Sequence, residues 1–310
     1  MYNGLLGRYK NGNYEVSIYS DGTKIRDTSE DEFIPAFPES IDIHISSRCD
    51  NNCPYCYANC SPDGEFGNLL DWKFLETIHP YTEVALNLQM PVSEQLISFL
   101  RLLKEKKVIP NITVNQNHFM NPAMRRYIDD LYEENLIYGL GISLTDPSDD
   151  FIQAVKHYPN AVIHVINGVV TESQMRKLFN KGLKILILGY KTLGRGIDYK
   201  NVAFHNEDNL IVQNQNWMYS HLSSIMLSFD IVSFDNLAID QLDVRRVVSD
   251  EDWEECFMGQ DSMYTFFMNL VDGTYSTSSL SLIKYPIGDK SIDEMFMSIR
   301  GKGTHDGGVK

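Results

Sequence analysis

Six short apolar runs recur between residues 41 and 189, and the stretches between them carry helical spacing or helix-start signals. This rhythm constrains the fold more than any other property of the chain. The runs occupy residues 41–46, 84–88, 112–115, 139–144, 161–166 and 185–189. After the second run, Leu96, Phe99, Leu100 and Leu103 fall on one face of a helix predicted over 92–107. Asn121-Pro122 and Asp146-Pro147 each read as an N-cap residue followed by proline at the first helical position. Thr171 opens a further helix, and Gly182 stands where a helix ends in a left-handed turn. Strands alternating with helices at this spacing predict parallel strands joined by right-handed crossovers. Six units fall short of the eightfold barrel, so the fold class is α/β, as an open partial barrel or an open doubly wound sheet. In both, ligands meet the carboxyl ends of the strands.

The first run ends at a cysteine cluster. The chain has five cysteines, and Cys49, Cys53, Cys56 and Cys60 lie within twelve residues while Cys256 stands apart. Residues 1–10 lack the layout of a signal peptide, so a clustered, odd count predicts metal ligation in a cytoplasmic protein. Thiolate sulfur is the soft ligand that zinc and iron–sulfur clusters prefer. A structural zinc site needs a fourth ligand, for which Cys60 is available. A [4Fe–4S] cluster on Cys49, Cys53 and Cys56 leaves one iron open to an outside ligand. Cys60 then reads as a packed thiol, and Cys60 with Cys256 cannot hold a second cluster.

The remainder of the chain reads as additions to this core. Residues 14–20 and 23–27 flank Asp21-Gly22, a hairpin signal, and residues 264–271 and 275–279 flank Asp272-Gly273, another. The βα alternation is expected to stop after Gly196, with a long helix over 207–229, a second over 250–257 and a frayed end over 301–310. The formal net charge of −15, from 27 basic and 42 acidic residues, disfavours nucleic acid as a partner. No apolar run reaches the ~18 residues of a membrane span.

The spacing C-x3-C-x2-C, with Tyr55 just before the last cysteine and directly after the first βα strand, resembles the radical S-adenosylmethionine (SAM) superfamily. The resemblance covers residues 38–195. It implies an open partial (βα)6 barrel over 38–196, with an N-terminal hairpin extension over 1–37 and an α+β helical and hairpin cap over 197–310. It also implies a [4Fe–4S] cluster on Cys49, Cys53 and Cys56 that binds SAM and cleaves it reductively. The resulting 5′-deoxyadenosyl radical takes hydrogen from a peptide or small-molecule substrate. An electron donor such as a flavodoxin or ferredoxin is implied as well.

By the same resemblance, Tyr55 lies beside the cluster, and Asn115, Ser143, Gly168 and Gly189, at strand ends, are SAM contacts. The superfamily's Gly-Gly-Glu-like motif is replaced by Asn87-Leu88-Gln89-Met90-Pro91, where Asn87 and Gln89 offer neutral carbonyl oxygens. That departure motivates an alternative, a degenerate relative that binds a cluster without catalysis. His44, His118 and His164 lie in or beside the strands, as core residues or facing a substrate. Lys191 and Arg195 follow the sixth run, solvated or able to receive a carboxylate or phosphate.

Overall fold

Apolar and polar or small residues alternate along the strands, as in Ile41-Asp42-Ile43-His44, Ile112-Thr113-Val114-Asn115 and Ile163-His164-Val165. A period of two gives each strand one oily face and one polar face. The computed structural model describes residues 4–205, 210–257 and 259–302 and shows both faces in use.

An antiparallel meander leads the described chain: β1 (Leu5–Asn11), β2 (Tyr14–Tyr19) and β3 (Lys24–Asp27). The β2–β3 hairpin at Asp21-Gly22 is as expected. The additional strand β1 turns into β2 through Gly12-Asn13, a second hairpin signal in the same stretch.

Among the described residues, the main sheet has ten strands. Its core runs β4 (Ser40–His44), β5 (Glu83–Leu88), β6 (Ile109–Asn115), β7 (Gly139–Ser143), β8 (Ala161–Ile166) and β9 (Lys184–Leu188). These are the six expected strands, side by side and parallel. The alternation does not stop at Gly196. The strand β10 (Ile231–Phe234) pairs parallel to β9, and β11 (Thr265–Asn269) pairs parallel to β4 on the opposite edge. The antiparallel strands β12 (Thr274–Ser276) and β13 (Tyr285–Pro286) complete the order β10-β9-β8-β7-β6-β5-β4-β11-β12-β13. The C-terminal third therefore extends both edges of the one sheet. β10 escapes a sequence reading because it has four residues and follows the long helix Leu210–Met226.

The helices cover the oily face. Leu96, Phe99, Leu100 and Leu103 of helix Leu96–Glu105 are buried in one cluster with Val84, Leu86, Ile112 and Val114. Asn121 caps helix Pro122–Glu133 by accepting from Ala123 N and Met124 N, and Thr171 forms a capping box with Gln174. The start signal at Asp146-Pro147 is displaced: Ser148 caps helix Asp149–Val155, accepting from Phe151 N. The expected long helix is Leu210–Met226, and residues 207–209 and 303–310 of the earlier readings lie outside the described residues. Among the described residues, no helix is long and apolar enough to cross a membrane.

A buried ion-pair network fastens the meander to the sheet. Glu39, immediately before β4, is fully buried and receives Arg26 at both oxygens, at 2.8 and 3.0 Å, and Tyr14 Oη at 2.6 Å. The Arg26 guanidinium also lies 4.1 Å over the Tyr264 ring.

Candidate functional site

The polar face of the sheet encloses a cavity of about 670 Å³. Asp42, Asn87, Thr113, Ser143 and His164 line it from the successive strands β4 to β8 and Ser233 from β10, and the meander contributes Ile18 to Gly22. Gly141 makes room in the wall: a Cβ there would stand 2.6 Å from His164 Nε2 and 2.8 Å from Thr113 Oγ1. Burial lowers the His44 and His164 imidazoles to about 4, so both are neutral at neutral pH.

The cysteine loop leaves β4 at His44, beside this cavity. Asn87 at the end of β5 holds its first residues, accepting from Ile45 N at 2.7 Å and donating to Ser46 O at 2.8 Å. Gln89 Nε2 donates to the same carbonyl at 3.0 Å. Both amides stand where a SAM ammonium contact was expected, and both hold the backbone of the loop.

The loop after β6 grips the cysteines from one side. Asn115 Oδ1 caps helix Gln116–Phe119 through Asn117 N, which leaves its Nδ2 3.9 Å from Cys53 Sγ. His118 is buried and pairs with Asp50, and Asn117 Nδ2 donates to Asn51 Oδ1 at 3.1 Å. The core-or-substrate histidine is thus a brace of the cysteine loop. Donor atoms of Cys49, Asp50 and His118 all lie within 4.8 Å of one another, a set that can also hold a single metal ion.

Arg195 grips the other side. Its Nε donates to Cys53 O and its Nη2 to Cys60 O, each at 2.9 Å, while its backbone N donates to Cys56 O at 3.1 Å. Its side chain thus fixes two carbonyls of the loop and its backbone a third. Lys191 donates to Ser279 Oγ at 2.8 Å and lies 4.2 Å over the Tyr57 ring.

All five cysteines are free thiols. Burial raises Cys49 and Cys53. Cys56 is lowered to about 6, chiefly by a hydrogen bond from Cys60, whose own thiol the same contact pushes up. Cys60 therefore stays protonated against Cys56 sulfur, and Ala58 and Cys60 backbone groups face Cys56 as well. Tyr55 is half-buried, its ring edge-on to Tyr199 at 5.7 Å, and burial beside the thiols lifts its hydroxyl to about 12.

Gly168 and Gly189 have a different setting from Asn115. At Gly168, with φ +90°, an added Cβ would meet Ile211 Cγ2 at 2.8 Å, and the carbonyl accepts from Asn214. At Gly189 a Cβ would meet Leu237 at 2.4 Å, and its N–H donates to Asp235 Oδ1. Gln241 takes both backbone groups of Tyr190. These strand ends receive the C-terminal helices. Gly168→Ala is accordingly expected to lower unfolding stability by about 1–3 kcal/mol; a denaturant titration within 0.5 kcal/mol of the parent (about the error of such a measurement) contradicts that account.

The fold has a solved counterpart. The chain is similar to Streptococcus suis SuiB bound to S-adenosylmethionine, with a TM-score of 0.54 and 13% identity, over 86% of this chain and 69% of that one. At that identity the likeness is one of fold. No family model and no curated protein matches the chain.

Proposed function

We propose that this chain is a radical SAM enzyme, with a [4Fe–4S] cluster on Cys49, Cys53 and Cys56, in an open partial barrel whose cavity receives the substrate. The observation that carries the reading is one loop bearing three thiols at the carboxyl end of β4 in a parallel sheet, beside a cavity. The donor set fits such a cluster. Each sulfur has an N–H neighbour: Asn51 for Cys49, Asn115 for Cys53, Ala58 for Cys56. Such hydrogen bonds tune the potential of iron–sulfur centres. The fold likeness to a protein solved with S-adenosylmethionine supports the same reading.

When bound, the reduced cluster supplies the electron that cleaves SAM to methionine and a 5′-deoxyadenosyl radical, which takes a hydrogen atom from substrate. The chain's own residues shape and shield the site. Arg195 and His118 keep the loop in one arrangement from opposite sides. Of the SAM contacts that the resemblance implies, Tyr55, Gln89, Asn115 and Ser143 are kept in this reading; Asn87 spends both ends of its amide on the loop, and Gly168 and Gly189 face helices of the chain. The cysteine-loop aromatics Tyr55 and Tyr57 limit access of water. Substrate is a peptide or small molecule, and an electron donor of the flavodoxin or ferredoxin kind is required.

Anaerobic reconstitution tests the metal directly. About four irons and an equal amount of sulfide per chain are expected, falling to a small residue in Cys53→Ala. One zinc per chain and no iron, with Cys60 or His118 among the ligands, overturns the proposal.

A further inference from the structure

The cavity wall holds a carboxylate that the fold does not use. Asp42 lies in the middle of β4 with its surface open to the cavity and protein on every other side. It pairs in register with Ala85 on one neighbour and Phe267 on the other, neither of which can donate from its side chain. Among the described residues it has neither hydrogen-bond nor ion-pair partner. The surrounding walls push its carboxyl up to about 6, which leaves it ionised at neutral pH with no protein donor beside it.

The neighbouring charges are otherwise committed. Glu83, lower on the same wall, is paired with Lys24 at 2.6 Å. Asp235 accepts from Gly189 N and Ala238 N at 2.8 and 2.7 Å. Asp21 on the meander accepts from Thr23 N at 3.0 Å. Lys191 is the cation among the described cavity-lining residues; its ammonium is engaged by Ser279 and the Tyr57 ring and acts on Asp42 only through space, against the opposing charges of Asp261 and Asp235. His164 is neutral and adds no positive charge. The acidic groups of the lining outnumber this one cation, and Asp42 is the acidic group among them without a direct partner.

We propose that the cavity binds a substrate group bearing a protonated nitrogen, with Asp42 as its counter-ion. Naming that ligand a substrate rests on the radical SAM reading; the amine site itself does not. A cation entering from the mouth supplies the donors that Asp42 lacks, and a hydrogen bond between charged groups is stronger than a neutral one. An anionic ligand would face Asp42 and Asp235 together.

The test uses n-pentylammonium as probe, with 1-pentanol and pentanoate as neutral and anionic counterparts of the same shape. Binding to the full chain is followed by ligand-observed NMR titration at physiological salt, which suppresses surface attraction to the acidic protein. The ammonium is expected to bind the parent at least about tenfold more tightly than either counterpart, and Asp42→Asn is expected to remove most of that preference. Equal binding of 1-pentanol or pentanoate by the parent overturns the proposal whether or not the variant folds. So does an undiminished ammonium preference in a folded Asp42→Asn. Release of 5′-deoxyadenosine from SAM is measured on the parent in parallel. Its absence alongside Asp42-dependent amine binding sinks the enzymatic reading and leaves the amine site standing.

Discussion

Replacing Arg195 with Gln releases iron from the reconstituted protein about a hundredfold faster under a chelator than from the parent. The guanidinium holds Cys53 O and Cys60 O at 2.9 Å each, and these are the carbonyls of the middle cysteine and of the thiol that donates to Cys56. Hydrogen bonds to a charged group contribute roughly 1.5–3 kcal/mol each. Arg195 is half-buried, so the lower end applies, and two such bonds give about 3 kcal/mol, or about two decades in rate. Arg195→Lys is expected to recover only part of the effect, because an ammonium cannot fork to two carbonyls at fixed spacing. A general loss of stability would lower the melting temperature in step with iron retention. The loop role predicts a large change in retention with a small change in melting. Parent-like iron retention in Arg195→Gln contradicts it.

Glu39→Ala is expected to be the most destabilising single change, at about 3–5 kcal/mol, because it removes the buried carboxylate that Arg26 and Tyr14 both bond. Glu39 is wholly enclosed and accepts from Arg26 twice and from Tyr14 once. At about 2–4 °C per kcal/mol for a domain of this order of size, the melting temperature should fall by roughly 10 °C. Glu39→Gln keeps acceptor geometry for Tyr14 and part of that for Arg26, so its loss should be smaller. A scanning calorimetry shift under 2 °C for Glu39→Ala (well below that expectation) would show that the network does not fasten the meander to the sheet.

The six central strands were legible because each is a short apolar run, the first ending at the cysteine loop and the others at a cap, a proline or a glycine. The edges were not. The strand β10 has four residues, and its neighbour β9 is reached only after two helices. The strand β11 was read as one arm of a hairpin, which it is with β12, but its parallel pairing to β4 spans more than two hundred residues and leaves no local signature. Of the site, the cysteine spacing was plain in sequence, and so was the strand end at Asn115. The roles of Arg195 and His118 were not, since each grips residues far along the chain. Asp42 was present in the pattern all along: in a strand read as apolar, a charged residue at the alternate position marks the face that meets a cavity. Gly168 and Gly189 show the converse, small residues at strand ends whose close neighbour is a helix of the same chain.

The most direct test of the central claim is an anaerobic reaction of the iron- and sulfide-reconstituted protein with SAM and dithionite, reading 5′-deoxyadenosine by mass spectrometry. Cys53→Ala serves as the control. Product is expected from the parent and none from the variant. A parent that holds its cluster and yields no 5′-deoxyadenosine, even when incubated with amine-bearing compounds, would contradict it and make the chain a non-catalytic cluster-binding relative.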